Sequence, residues 1–250
     1  MMKKDSKEAL QEIKKGILSG TARPYQRPQF EERNLYTMLM TLSSIDLFDW
    51  YHYAFSREPL NGKFTEEQRK DFAKQAIACG KEYYERICKQ YHSDEPTILA
   101  EKMNMQVTYP SLPKHANRVL FAEYREPNHI HIYMDAVEKA EELLNEPSAT
   151  DLIIKKSDIK KLLLAHELFH HIEELHKEEI YSRTEKIRLW SLGPLHNDST
   201  IRTLSEMAAM SFAKELAKVS YAPYLMDILL VYGYSNMEAS GLYEEMMTYF

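Results

Sequence analysis

Glycine is scarce in this chain, 7 of 250 residues against 17 tyrosines. That shortage excludes a fold of many tight turns and favours long elements. Cysteine is scarcer still. Cys79 and Cys88 are the only two, and they lie nine residues apart in one expected helix, on opposite faces. A disulfide framework is excluded, and reduced thiols suit an intracellular protein. No apolar run approaches the ~20 residues of a membrane span. The N-terminus, MMKKDSKEALQEIKKG, lacks the apolar centre of a signal peptide, so a cytoplasmic protein is expected. Basic excess is also missing. A formal net charge of −6 and no long basic run argue against direct nucleic-acid binding. What is present is an ordinary globular composition, 44% hydrophobic and 28% charged, with enough length to bury a real core.

Along the chain, residues 3–19 have an amphipathic helical pattern, and a polar loop with Pro24 and Pro28 follows. Residues 34–55, rich in apolar and aromatic side chains, read as one broken or two short helices. Thr65 with Gln68 three places on forms a capping-box signature for a helix over 66–91. After Ser93 and Pro96 comes a short helix, PTILAEKMN. MQVTY, RVLFAEY and HIHIYM then have the length and β-rich composition of strands. A helix, DAVEKAEELLNE, precedes a longer one over 157–175. KIRLWSL reads as a strand, residues 200–218 as a third long helix, and two more helices close the chain. The expected class is α+β, mostly helical, with a small mixed or antiparallel sheet beside the 157–175 helix. The expected division is a helical region over 1–95 and a second domain over 96–250.

Residues 165–176, AHELFHHIEELH, hold four histidines and three glutamates. His166, Glu167 and His170 form H-E-x-x-H. Two residues four apart on a helix share a face, so both imidazoles can reach one metal ion. Glu167 sits about 100° round the helix, where it can act as a base on a metal-activated water without being a ligand. The preceding IKKLLLA is apolar, which turns the His166/His170 face inward.

A catalytic zinc site needs a third protein ligand. His176 has a protease-like spacing, but Glu173 stands where a turn-making glycine would be needed, and a continuing helix carries His176 about 9 Å beyond His170. Glu173 shares the ligand face yet lies two turns from His166. His129 and His131, alternate residues of one strand, are a rival pair. Glu206 is the favoured third ligand. It lies on the next long helix among Met207, Ala208, Ala209, Met210 and Phe212, where a lone carboxylate would be costly. His171, Glu173, Glu174 and His176 are expected at the surface.

LLLAHELFHHIEE, followed by E-x-x-A-x-x-F-A in EMAAMSFA, resembles the ImmA/IrrE family of zinc metallopeptidases, which belong to the gluzincins. The resemblance runs over roughly residues 96–225 and includes the helix and strand ILAEKMNMQVTY and the strands RVLFAEY and HIHIYMD. It implies a minimal zincin core, His166, His170 and Glu206 as zinc ligands, and Glu167 as general base. It further implies endopeptidase activity on a regulatory protein, often a helix-turn-helix repressor. The chain departs from the family pattern at Phe169, a glycine in the family, which puts bulk beside the site. It departs again at Met210, an Asn or Asp there, which removes a hydrogen bond to a ligand histidine. The stretch between His170 and Glu206 is also longer than usual, consistent with an inserted strand or flap around KIRLW. Substrate is expected to pair with an edge strand, HIHIYM, and Tyr133 and His196 are among the candidate oxyanion donors. Two rival readings stand beside this one. The E-x-x-H units Glu167/His170 and Glu173/His176 suit di-iron bundles, but those place the two units on different helices. A zinc-bound, non-catalytic protein that sequesters a partner is the alternative from another class.

Overall fold

Asn34 opens the first helix by accepting the Thr37 amide hydrogen with its side chain, satisfying one of the free N–H groups at a helix start. In the computed structural model, which describes residues 31–111, 121–193 and 195–250, this is α1 (Leu35–Ser43), and α2 (Tyr51–Ser56) follows. The aromatic 34–55 segment is therefore two short helices. Thr65 then starts α3 (Glu66–Tyr91) with the expected capping box. Its hydroxyl accepts from the Gln68 amide at 3.2 Å, and the Gln68 side chain accepts from the Thr65 amide at 2.9 Å.

The chain continues through α4 (Pro96–Lys102), β1 (Gln106–Thr108), β2 (Ala122–Arg125), β3 (His129–Ile132) and α5 (Met134–Leu143). Next come α6 (Lys156–Leu175), α7 (Tyr181–Thr184), β4 (Lys186–Leu192) and β5 (Leu195–Thr200). The last elements are α8 (Arg202–Ala217), α9 (Met226–Tyr232) and α10 (Asn236–Met247). The helix expected over 3–19, the Pro24/Pro28 loop and residues 118–120 of the second expected strand lie outside the described residues. Among the described residues the class is α+β, mostly helical, with one three-stranded sheet and one two-stranded sheet. No described helix is long and apolar enough to cross a membrane, and Cys79 and Cys88 are both free.

Glu31–Phe250 fold as one unit. Its centre is α8, which packs along α3 on one side and α6 on the other. The 66–91 helix, expected in a separate N-terminal region, thus lies directly against the helix that carries Glu206. Gly80 is what lets α3 approach. A Cβ built there would meet the Ala208 carbonyl oxygen at 2.2 Å and the Phe212 nitrogen at 2.9 Å. Between α6 and α8, Phe169 and Phe212 are fully buried with ring centroids 5.6 Å apart. The bulk that Phe169 adds therefore fills the helix interface and does not crowd the histidines.

The three-stranded sheet has the order β1-β3-β2. β1 runs parallel to β3, and β2 runs antiparallel to it. This overturns the expectation that HIHIYM forms an edge. β3 is hydrogen-bonded on both sides, and β2, which packs against α6, is the edge near the histidines. The reason is the parallel crossover from β1, which brings Gln106–Thr108 to the far side of β3. Ile130 and Ile132 are fully buried. The period of two then puts His129 and His131 on the opposite face, where His131 Nδ1 lies 2.5 Å from Thr108 Oγ1.

β4 and β5 form a hairpin that turns at Gly193, whose φ of +59° suits a residue without a Cβ. Its ends join α7 to α8.

Replacing Gly80 with alanine should push α3 off α8 and lower stability by about 1–3 kcal/mol, the usual cost of overpacking. For a unit of this size that is a fall of roughly 2–12 °C in Tm, at about 2–4 °C per kcal/mol. Gly62→Ala, where nothing lies within 4 Å of the added carbon, should leave Tm unchanged. Equal melting curves for Gly80→Ala and wild type would refute the close-packing role.

Candidate metal centre

α6 starts firmly. The Asp158 carboxylate accepts the Lys155 amide hydrogen at 2.9 Å and the Tyr221 hydroxyl at 3.0 Å. Two turns further on, the i, i+4 spacing stacks His166 above His170, with their Nε2 atoms 3.2 Å apart. α8 presents Glu206 to both. Oε2 is 3.4 Å from His166 Nε2, and Oε1 is 3.9 Å from His170 Nε2. One ligand atom from each residue lies within 4.8 Å of the other two, and this is the one such group of three among the described residues.

These separations fit a metal. Four ligands at about 2.0–2.2 Å in tetrahedral array stand about 3.3–3.6 Å from one another. Two imidazoles and a carboxylate also suit zinc in hardness and in number, leaving a fourth position open. His129, His131 and His176 do not join the group. His176 sits just past the end of α6, with Nδ1 2.6 Å from Glu179.

The start of α8 is fixed from far away in sequence. Its N-cap, Ile201, offers no side-chain acceptor, and the buried Glu58 supplies one by accepting the Thr203 amide hydrogen at 3.0 Å. Glu206 is one helical turn further on.

Glu173 was expected at the surface, and the structure corrects this. It is fully buried and forms the floor of the site. Its carboxylate accepts hydrogen bonds from Ser182 Oγ at 2.6 Å and Ser205 Oγ at 2.8 Å, and pairs with Arg183 at 3.0 Å. It also lies 3.7 Å from His170 Nδ1, with Ser205 Oγ at 3.5 Å from the same nitrogen. Burial alone would raise its pKa. The hydrogen bonds from His170 and Ser182 and the charge of Arg183 instead hold it below the ordinary range. Glu173 thus stands behind the His170 ring, on the side away from Glu206, where it can fix that ring's orientation. Met210 is free to line a cleft. His171 is also buried, with Tyr124 Oη 3.2 Å from Nδ1, and burial lowers its pKa. That contact ties the edge strand β2 to α6.

The three side chains also hold each other. Burial works against a charge on His166, but its hydrogen bond to Glu206 and that carboxylate's charge outweigh it and raise the pKa to about 9. Burial likewise opposes charge on Glu206, and the His166 contact overrides it, lowering the pKa to about 2. The Glu206 side chain keeps 55% of its surface exposed within the cleft, so water screens the pair and limits its contribution to stability.

The group sits between two clefts. One, of about 300 Å³, is walled by Leu163, Met210, Met226 and Leu230 and contains Asp227. The other, of about 470 Å³, is polar and contains Arg183, Arg202 and Ser205. Glu167, 8% exposed, borders both, as does Ala122 of β2. Neither Tyr133 nor His196 lines these clefts. Tyr133 donates to Glu123, and His196 pairs with Asp198 on the hairpin. Asp227, Glu173 as a buried support and the Glu58 cap were missed from sequence. Only Glu173 left a signal there, its i+3 spacing from His170.

Compared with known proteins, the chain matches no family model, no curated protein and no solved structure.

Two outcomes follow. A metal needs the neutral imidazole, and His166 is protonated below about pH 9. Metal uptake at pH 7.5 should therefore release about one proton, and affinity should rise with pH up to about 9 and then level off. Calorimetry in two buffers of different ionisation enthalpy reads this directly, and uptake without proton release would contradict it. Glu173→Gln should weaken metal binding by about 10–100-fold in competition with a chelating dye while the fold persists. Unchanged affinity would remove Glu173 from the site.

Proposed function

We propose that this protein is a zinc-dependent endopeptidase built on a minimal zincin-like core. The observation that carries the reading is the convergence of His166, His170 and Glu206 at ligand spacing, with the carboxylate of Glu167 beside them. The motifs that resemble the ImmA/IrrE metallopeptidases support it, and they are also the basis for proposing a regulatory, repressor-type protein as substrate. Two histidines and one glutamate would hold the zinc, which supplies Lewis acidity to a water and to the scissile carbonyl.

The chain's own residues do the rest. Glu167, nearly buried between the two clefts, takes a proton from the attacking water as its oxygen bonds to the carbonyl carbon. It then gives that proton to the departing nitrogen as the C–N bond breaks. Glu173, Ser205 and Arg183 keep the His170 ring in place. The edge of β2 that no described strand covers, whose Ala122 borders both clefts, would offer backbone groups to an extended substrate running past Glu167 as an added strand. Arg183 and Arg202 put positive charge on the polar side, where the carbonyl oxygen gains negative charge.

The alternative is a zinc-bound protein that sequesters a regulator without cutting it. A base poised beside the metal ligands favours hydrolysis, because sequestration has no use for one.

Elemental analysis of purified wild type should find about one zinc per chain, lost in both His166→Ala and Glu206→Ala. Glu167→Gln should keep the metal and lose cleavage by at least a factor of about 100. Metal retained in Glu206→Ala would break the ligand assignment. Biological function intact in Glu167→Gln would favour sequestration.

A further inference from the structure

The apolar cleft beside the metal ligands has one charged group that the catalytic reading does not use. Asp227, in the first turn of α9, borders the cleft together with His166, Glu167 and Glu206. It makes no hydrogen bond and no ion pair with any described residue. Of the two cationic groups that act on it, His166 is held by Glu206, and Arg57 is engaged elsewhere, with Nη2 3.1 Å from the Tyr53 hydroxyl and 3.0 Å from Glu245. The remaining cleft walls near Asp227 are carbon, from Leu163, Met210, Met226 and Leu230. A carboxylate in such a place is costly unless a cation comes to it. Burial and the neighbouring Glu206 raise its pKa to about 6, and His166 and Arg57 work against that rise. Among the described residues its carboxylate is therefore left unpaired in the cleft.

We infer that Asp227 selects a basic side chain, lysine or arginine, at a substrate position flanking the scissile bond. This inference rests on the endopeptidase reading for the site and concerns what that site accepts. The shape of the cleft matches the chemistry. A lysine or arginine carries a long apolar stem ending in a charge, and it buries the stem along apolar walls while the head finds its counterion. The cleft offers both surfaces, Leu163, Met210 and Met226 for the stem and Asp227 for the head. A leucine or methionine side chain would fill the same walls and leave the carboxylate desolvated and unpaired, which is what makes the discrimination strong. An acidic side chain would meet Asp227, Glu206 and Glu167 together and be rejected.

The test uses end-capped, fluorescein-labelled octapeptides with each residue in turn at four central positions and alanine elsewhere. Zinc-loaded wild type is assayed for cleavage, and Glu167→Gln for binding by anisotropy. The expected result is a preference for Lys or Arg over norleucine of at least about tenfold in kcat/KM at one position beside the cut. Asp227→Asn should reduce that preference below about threefold, and Asp227→Glu should keep most of it. Asp227 has no partner to lose among the described residues, so Asp227→Asn should melt no lower than wild type. Cleavage without a basic preference, or a preference that survives Asp227→Asn, overturns the inference and leaves the peptidase reading standing. If no peptide is cut but Glu167→Gln still binds the lysine peptides over the norleucine ones in an Asp227-dependent way, the cation pocket stands and the peptidase reading falls. If neither cutting nor charge-dependent binding occurs, both fall.

Discussion

The geometry of this molecule depends on how closely α8 can lie between two other helices. Glu206 reaches His166 and His170 only because α8 runs along α6, with Phe169 and Phe212 closing that interface. On the opposite side the absent side chain of Gly80 lets α3 come into backbone contact with α8. A helix pays little for one interior glycine compared with what close helix packing returns in dispersion and buried area. Glu58 then fixes where α8 begins. Position along the axis and distance from α6 are set by these contacts, and the carboxylate arrives at ligand spacing as a consequence.

The polar side of the site is organised around a charge that is buried deliberately. A carboxylate with no solvent exposure would be strongly unfavourable alone, but Glu173 has two hydroxyl donors and a guanidinium. Satisfied in this way, it can hold the His170 ring from outside the group of three, two turns along α6 from His166. The hydroxyl of Ser205 is shared between Glu173 and His170, and Ser205 is the neighbour of Glu206 in sequence. The support of one ligand is therefore built from the same helix turn that delivers another. Asp227, on the apolar side, is the contrasting case of a carboxylate with no hydrogen bond or ion pair to any described residue.

Much of this was legible in the sequence where the signal was local. The capping box at Thr65 and Gln68 and the H-e-x-x-H face of α6 appear where local spacing put them, because helix starts and helix faces are set within one or two turns. Glu206 was singled out by the cost of a lone carboxylate on an apolar helix, but its side chain is 55% exposed, and it belongs to the group because it faces His166 and His170 across the cleft. Sheet order was not, because strand pairing depends on the crossover between β1 and β3 and not on either strand's own pattern. Burial of Glu173 was missed for a related reason. Its partners Ser182, Arg183 and Ser205 lie 9, 10 and 32 residues later, and nothing in the helix pattern announces that they return to it. Asp227 carries no spacing relation to the histidines at all.

The long separation between His170 and Glu206, 36 residues, has a structural explanation in the β4–β5 hairpin. Lys186 pairs with Thr200, so the two ends of the excursion are neighbours. A hairpin whose ends meet can be lengthened or shortened at small entropic cost, since closure depends only weakly on loop length. α7 enters it beside α3 and α8, and Arg202 leaves it directly into α8. The positions that matter to the metal site are therefore fixed at the base of the hairpin. Exposed Trp190, Leu192 and Leu195 lie further out along it. The same base contributes Arg183, Thr200 and Arg202 to the polar cleft, so the hairpin between the two helices also builds one wall of the cleft.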